Sequence, residues 1–230
     1  MKFLLALLFA VSSNPALAGI EKCTDLYKSN NPMALEECYP LAEEKNPDAQ
    51  KMIGDMYYWG WGDRAEKNLD RAIAWYKKAA INGNLDAKYA MGVLYEKGEG
   101  IKIDYVRAIK WYYSAASKGH INAQFNLANM YAKGAGVEQN QRMAVKWYVR
   151  AANQGDAVAQ YNLANRYALG NGISQDLMES YKWYTIAKEG GIAEAEKGRK
   201  NLEKSMADAD VKKARVMAHE WLPTFEQVEE

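Results

Sequence analysis

The chain has 230 residues, with 30 Lys+Arg against 29 Asp+Glu and two cysteines. That length accommodates one sizeable domain or one continuous repeat array. A charge this balanced argues against a nucleic-acid binder, which usually carries a basic surplus.

The first element is "MKFLLALLFAVSSNPALA", with Lys2, an uninterrupted apolar run from Phe3 to Val11, a polar break and Ala16-Leu17-Ala18. This is the charged, apolar and small-residue order of a secretory signal. The nine apolar residues are too few to span a bilayer. Residues 1–18 are therefore expected to be cleaved after Ala18. Loss of Lys2 leaves 29 basic against 29 acidic residues, a net charge of zero. No cysteine follows the cleavage site directly, since Gly19 comes next, and no later segment is apolar enough for membrane insertion. The expected location is periplasmic or secreted.

Residues 19–48 read as an N-terminal capping hairpin. When Ala49 is aligned with Ala87, Ala34 falls on Ala72, Leu35 on Ile73 and Cys38 on Tyr76. That places one helix over 20–28, a turn at "SNNP" and a second helix over 33–45. Cys23 and Cys38 lie equally far from the turn centre, so an antiparallel hairpin puts them at one level. In an exported chain such a pair reads as a disulfide.

The dipeptide Trp-Tyr then recurs at Trp75, Trp111, Trp147 and Trp183, each step 36 residues long. Gly83, Gly119, Gly155 and Gly191 keep the same beat, as do Ala87, Ala123, Ala159 and Ala195. The units are 49–86, 87–122, 123–158 and 159–194. Each opens with a helical pattern such as "AQFNLANMYAKG", passes a Gly-x-Gly turn, and continues through an amphipathic run such as "MAVKWYVRAANQG" that stops at glycine. Each is a helix–turn–helix hairpin, too small to bury its apolar face alone and stable only when stacked. Leu94, Leu127, Ala128, Ala164, Tyr95, Tyr131 and Tyr167 are the expected core. The Trp-Tyr pairs read as inter-repeat packing, with a cofactor stack as the remote alternative.

The features A-x-x-x-L-[GA]-x-x-Y, G-x-G-[IV] and A-x-x-W-Y-x-x-A-A-x-x-G are similar to the Sel-one-like repeat, a relative of the tetratricopeptide repeat. The resemblance covers roughly residues 49–194. It implies an all-α, right-handed α/α solenoid that binds other proteins. Residues 195–222 resemble the degenerate closing helices of such arrays, with 223–230 as a tail.

The resemblance also implies that the first helices line a concave binding face. Their outward positions are Lys51, Asp55 and Tyr58; Tyr89, Val93 and Glu96; Phe125, Asn129 and Ala132; and Tyr161, Asn165 and Ala168. Tyr89, Phe125 and Tyr161 share a register, either as an exposed aromatic ladder or as sideways packing. Trp59 and Trp61 lie in "YYWGWG", where the other repeats read "YEKGEG", "YAKGAG" and "YALGNG". The glycines belong to the turn. No strand precedes them, as a nucleotide loop would need. The tryptophans are an addition, either a partner-binding anchor or packing onto the loop and cap.

No catalytic, metal or cofactor site is expected. His120 and His219 stand about a hundred residues apart, and no Cys/His set has metal-ligand spacing. His120 reads as a surface turn residue. The leading function is a non-enzymatic periplasmic scaffold or adaptor with a protein partner and no nucleic acid. The alternatives are an immunity or inhibitor protein that neutralises a secreted toxin or lytic enzyme, and a cell-envelope enzyme related to cysteine-rich penicillin-binding repeat proteins.

Overall fold

A computed structural model describes residues 15–61, 64–221 and 223. Among them twelve helices occur and no strand: α1 Pro15–Lys28, α2 Ala34–Glu43, α3 Pro47–Trp59, α4 Leu69–Ile81, α5 Leu85–Lys97, α6 Tyr105–Ala116, α7 Ile121–Lys133, α8 Gln141–Asn153, α9 Ala157–Leu169, α10 Leu177–Glu189, α11 Glu194–Glu203 and α12 Asp208–His219. Most of the proposed signal, residues 1–14, lies outside the described residues, and Pro15–Ala18 form the start of α1. Of the tail, only Pro223 is described.

The helices fall into two compact units, divided between Asn84 and Leu85. In the first, α1 packs on α2, α2 on α3 and α3 on α4. In the second, each helix from α5 to α10 packs on its successor, and α12 returns against α10.

Local chemistry fixes the boundaries. The second helices start at Asn68, Asp104, Asn140 and Asp176, whose side chains accept from the first-turn N–H groups of Arg71, Arg107, Met143, and Met178 with Glu179. Each such cap is worth about 1 kcal/mol. Gly134 and Gly170 end α7 and α9 in the left-handed region, and each N–H bonds back to Met130 O or Arg166 O. The second glycine of the turn has another reason. A side chain at Gly136 or Gly172 would run into the backbone carbonyl of Tyr105 or Gln141, at the start of the preceding second helix.

His120 does more than the surface turn role expected of it. It is the N-cap of α7: Nδ1 accepts from Ala123 N at 3.1 Å, and Nε2 lies 3.1 Å from Asp86 Oδ1. Its ring stacks on Tyr89 at 4.9 Å. The accepting Nδ1 puts the proton of the neutral ring on Nε2, so one side chain caps a helix and donates to the preceding first helix.

The disulfide joins Cys23 and Cys38 with Cα atoms 5.0 Å apart, both residues fully buried. Leu94, Leu127, Leu163, Ala128 and Ala164 are buried, as are Trp75, Trp147 and Trp183 with Tyr76, Tyr112, Tyr148 and Tyr184. Trp111 is half-buried. Tyr95, Tyr131 and Tyr167 are also half-buried, not fully in the core as expected. The phenol keeps its polar end near water, and the Arg107 guanidinium lies 5.5 Å from the Tyr95 ring centre. Trp147 turns edge-on to Tyr113, with ring centres 5.8 Å apart, and joins α8 to α6.

Candidate interaction surface

The outward positions of α3 divide by depth. Asp55 is buried, and both carboxylate oxygens are engaged: Tyr76 Oη donates to Oδ1 at 2.8 Å and Tyr27 Oη to Oδ2 at 2.5 Å. Lys51 Nζ sits 2.7 Å from Oδ2 and 5.8 Å from the Tyr27 ring centre. Burial, then the adjacent Asp55, push the Tyr76 phenol far above its ordinary pKa, so it stays a donor. Asp55 therefore ties α1, α3 and α4 together and does not face outward as a contact residue.

The two tryptophans separate as well. Trp59, the last residue of α3, is 69% exposed and meets the Tyr58 ring edge-on at 4.7 Å. Trp61 is partly buried and stacks nearly parallel on Tyr27, with ring centres 5.3 Å apart and planes 12° apart. Its backbone N–H donates to Ala65 O at 2.7 Å, in an isolated bridge across the longer loop. Lys67 Nζ lies 6.0 Å from the Tyr58 ring centre.

The second unit repeats one arrangement three times. Tyr89 leans on Tyr112 at 5.8 Å, Phe125 on Tyr148 at 6.0 Å, and Tyr161 on Tyr184 at 5.8 Å. These first-helix aromatics are half-buried, each against the tyrosine of its own hairpin's Trp-Tyr pair. The buried hydroxyls need acceptors on the first helix. Tyr148 donates to Asn129 Oδ1 at 2.5 Å and Tyr184 to Asn165 Oδ1 at 2.8 Å. Val93 holds that register in α5 and cannot accept, so Tyr112 reaches Glu96 Oε2 at 2.6 Å, one turn further on. Burial raises the pKa of all three tyrosines. Glu96 adds to the rise at Tyr112, and Arg166 opposes it at Tyr148.

Two participants escaped the sequence reading. Tyr27 supports both Trp61 and Asp55, yet it lies in the cap, where no repeat register points to it. Tyr181 replaces the Ile73, Ile109 and Val145 of the other repeats. Its hydroxyl donates to Glu203 Oε1 at 2.8 Å and accepts from Arg199 at 2.8 Å and Arg215 at 3.2 Å, tying α10 to α11 and α12. A tyrosine in an aliphatic register was the available signal.

Among the described residues no group of three or more His, Cys, Asp and Glu is placed to hold a metal ion, and no helix is long and apolar enough to cross a membrane.

The Sel1 repeat pattern matches residues 47–84, 85–120, 121–156 and 157–192, starting two residues ahead of each unit drawn from the sequence. The ERAD-associated E3 ubiquitin-protein ligase component HRD3B of Arabidopsis thaliana is 34% identical over 82 residues, 36% of this chain and 13% of that protein. A Sel1 repeat protein from Oxalobacter formigenes is 35% identical with a TM-score of 0.73, over 88% of this chain and 82% of that one. The protein c5321, a protective antigen of uropathogenic Escherichia coli with an SLR fold, is 27% identical with a TM-score of 0.79, over 91% of this chain and 46% of its own. The chain thus spans a small part of the curated relative and about half of the antigen. The helix pairs are those of an all-α repeat solenoid, and with the pattern running from 47 to 192 the chain belongs to the Sel1 repeat family.

Proposed function

We propose that this protein is a non-enzymatic scaffold of the bacterial periplasm that docks another protein, with Trp59 as a principal anchor. The observation that carries this reading is the exposure of Trp59, 69% of the residue, at a turn whose equivalents in the other repeats are Lys97, Lys133 and Leu169. The turn does not need a tryptophan there, and α3 does not bury it. Binding energy at interfaces concentrates in a few such aromatic anchors, each worth about 2 kcal/mol or more. Trp61 serves differently, as a shelf on Tyr27 that fixes the loop next to the anchor. In the second unit, Tyr89, Phe125 and Tyr161 with the Asn129 and Asn165 amides supply further partly exposed contact area. The likeness to HRD3B, a named component of a larger ligase assembly, supports an assembly role. The secretory pattern of residues 1–18 supports the location.

The test is crosslinking capture from periplasm, followed by affinity measurement with the purified partner. Trp59→Ala should weaken that affinity at least about tenfold, since about 1.4 kcal/mol is one decade, with unfolding unchanged. Trp61→Ala should instead loosen the cap. Unchanged affinity in the Trp59 variant overturns the anchor assignment.

A further inference from the structure

The outer faces of α6 and α8 carry a separate feature. Neither helix contains Asp or Glu, whereas Arg107 and Lys110 lie on α6 and Arg142, Lys146 and Arg150 on α8. A chain with nearly equal numbers of acids and bases has segregated its bases here.

The bases form stripes. Residues at i, i+4 and i+7 share one helix face. On α6 that face is Val106, Lys110 and Tyr113; on α8, one repeat later, it is Arg142, Lys146 and Val149. Val106 and Tyr113 are 52% and 53% exposed. The edge-on contact of Tyr113 with Trp147 bridges the two helices. Two of the bases are occupied: Arg107 pairs with Asp104 at 3.2 Å, and Arg150 lies 4.6 Å from the Trp147 ring centre. Lys110, Arg142 and Lys146 have no carboxylate within ion-pair distance among the described residues. The patch stops at α10, where Lys182, in the register of Lys110 and Lys146, pairs with Glu179 at 2.7 Å.

The geometry points to a second docking surface on the outer faces of α6 and α8, built for an acidic polypeptide segment that carries apolar side chains between its carboxylates. Charge complementarity selects the acidic partner. The exposed Val106 and Tyr113 between the bases select a segment with apolar side chains over a bare polyanion. Opposed charges steer association and make it sensitive to salt. This surface does not use Trp59, so the two assignments stand or fall separately.

The probe is a fluorescein-labelled peptide of alternating Glu and Leu, titrated with the full chain at low and at physiological salt. Binding should weaken with salt. Lys110→Glu with Lys146→Glu should weaken it at least about tenfold, and Lys110→Arg with Lys146→Arg should retain it. Trp59→Ala should leave it unchanged. Both lysines are exposed, so unaltered thermal unfolding separates lost binding from lost fold. Absence of binding by the unmodified chain at low salt, or equal binding by the charge-reversed variant, overturns the assignment. So does a preference for phosphatidylglycerol vesicles over the peptide, or sedimentation showing that the stripe instead joins two copies of this chain.

Discussion

Replacing Asp55 by Ala tests whether this carboxylate is structural or part of the contact face. The substitution removes the acceptor of the buried Tyr76 hydroxyl, that of Tyr27, and the counter-charge of Lys51. Leaving a buried donor without its acceptor costs about 1–3 kcal/mol, and breaking a buried charged contact by removing one partner about 3–5 kcal/mol. Lys51 keeps a quarter of its side chain exposed and can recover water, so the lower end applies, about 3 kcal/mol in all. Asp55→Asn is the informative companion. The array itself places Asn129 and Asn165 in this register, each accepting from a Trp-Tyr hydroxyl. The single amide oxygen should keep the Tyr76 bond, while the NH2 in place of Oδ2 forfeits the part-exposed Tyr27 and Lys51 contacts, about 1–2 kcal/mol. With two compact units, one global unfolding curve is a poor measure. Hydrogen exchange read separately over α1–α4 gives the local free energy. Protection in α3 and α4 should fall strongly for Ala and slightly for Asn, with α7–α10 unchanged. Equal effects of Ala and Asn, or none from Ala, would refute the hub.

Reduction of Cys23–Cys38, which closes a separation of 15 residues, should cost about 3 kcal/mol on the chain-entropy account and lower protection first in α1 and α2. Equal loss across both units would refute a local cap. At the other end, hydrogen bonds from Arg199 and then Lys188 hold the Glu196 carboxyl down from its ordinary 4.5 to about 2. A depressed acid contributes stability in full above its unfolded value and loses it as pH falls through the folded one. The α10–α11 contact should therefore weaken between pH 4.5 and about 2, and Glu196→Gln should flatten that limb in exchange measured across α10 and α11. An acid limb identical to that of the unmodified chain would show that the pair does not govern it.

The hairpins were legible because their determinants are local and repeated. A glycine turn, a polar cap and a Trp-Tyr pair recurring at one interval fix helix ends and faces without tertiary information. The disulfide was legible for a related reason, since hairpin symmetry alone brings its halves level. Depth was read less well. Tyr95, Tyr131 and Tyr167 lie on the core side by period, yet a long phenol at the rim of a helix face keeps its hydroxyl near water. Asp55 was placed outward by the same period, but its oxygens turn back to Tyr76 and Tyr27. Helical register gives the direction of Cα–Cβ, whereas the hydrogen-bond demand of a buried neighbour decides where the polar end goes. Partners such as Tyr27, which come from an element outside the repeat, have no register from which to be read.

That demand also limits what the first-helix register can offer a partner. One acceptor per hairpin is already given to the tyrosine of the Trp-Tyr pair. Asp55 has both oxygens committed and faces Lys51, so it has nothing left for a ligand. Val93 has no polar atom, and its task has moved to Glu96. Asn129 gives only its oxygen to Tyr148. Asn165 gives its oxygen to Tyr184 and an N–H to Tyr161 O. The register that looks like one polar rung in sequence is thus four unequal positions, and its outward chemistry is amide N–H donation from α7 and α9. A partner segment over those helices would be met by donors and aromatic edges, which suits the carbonyls of an extended backbone better than cationic side chains. In the first unit the same register is closed by the cap, so the recognition proposed there rests on Trp59.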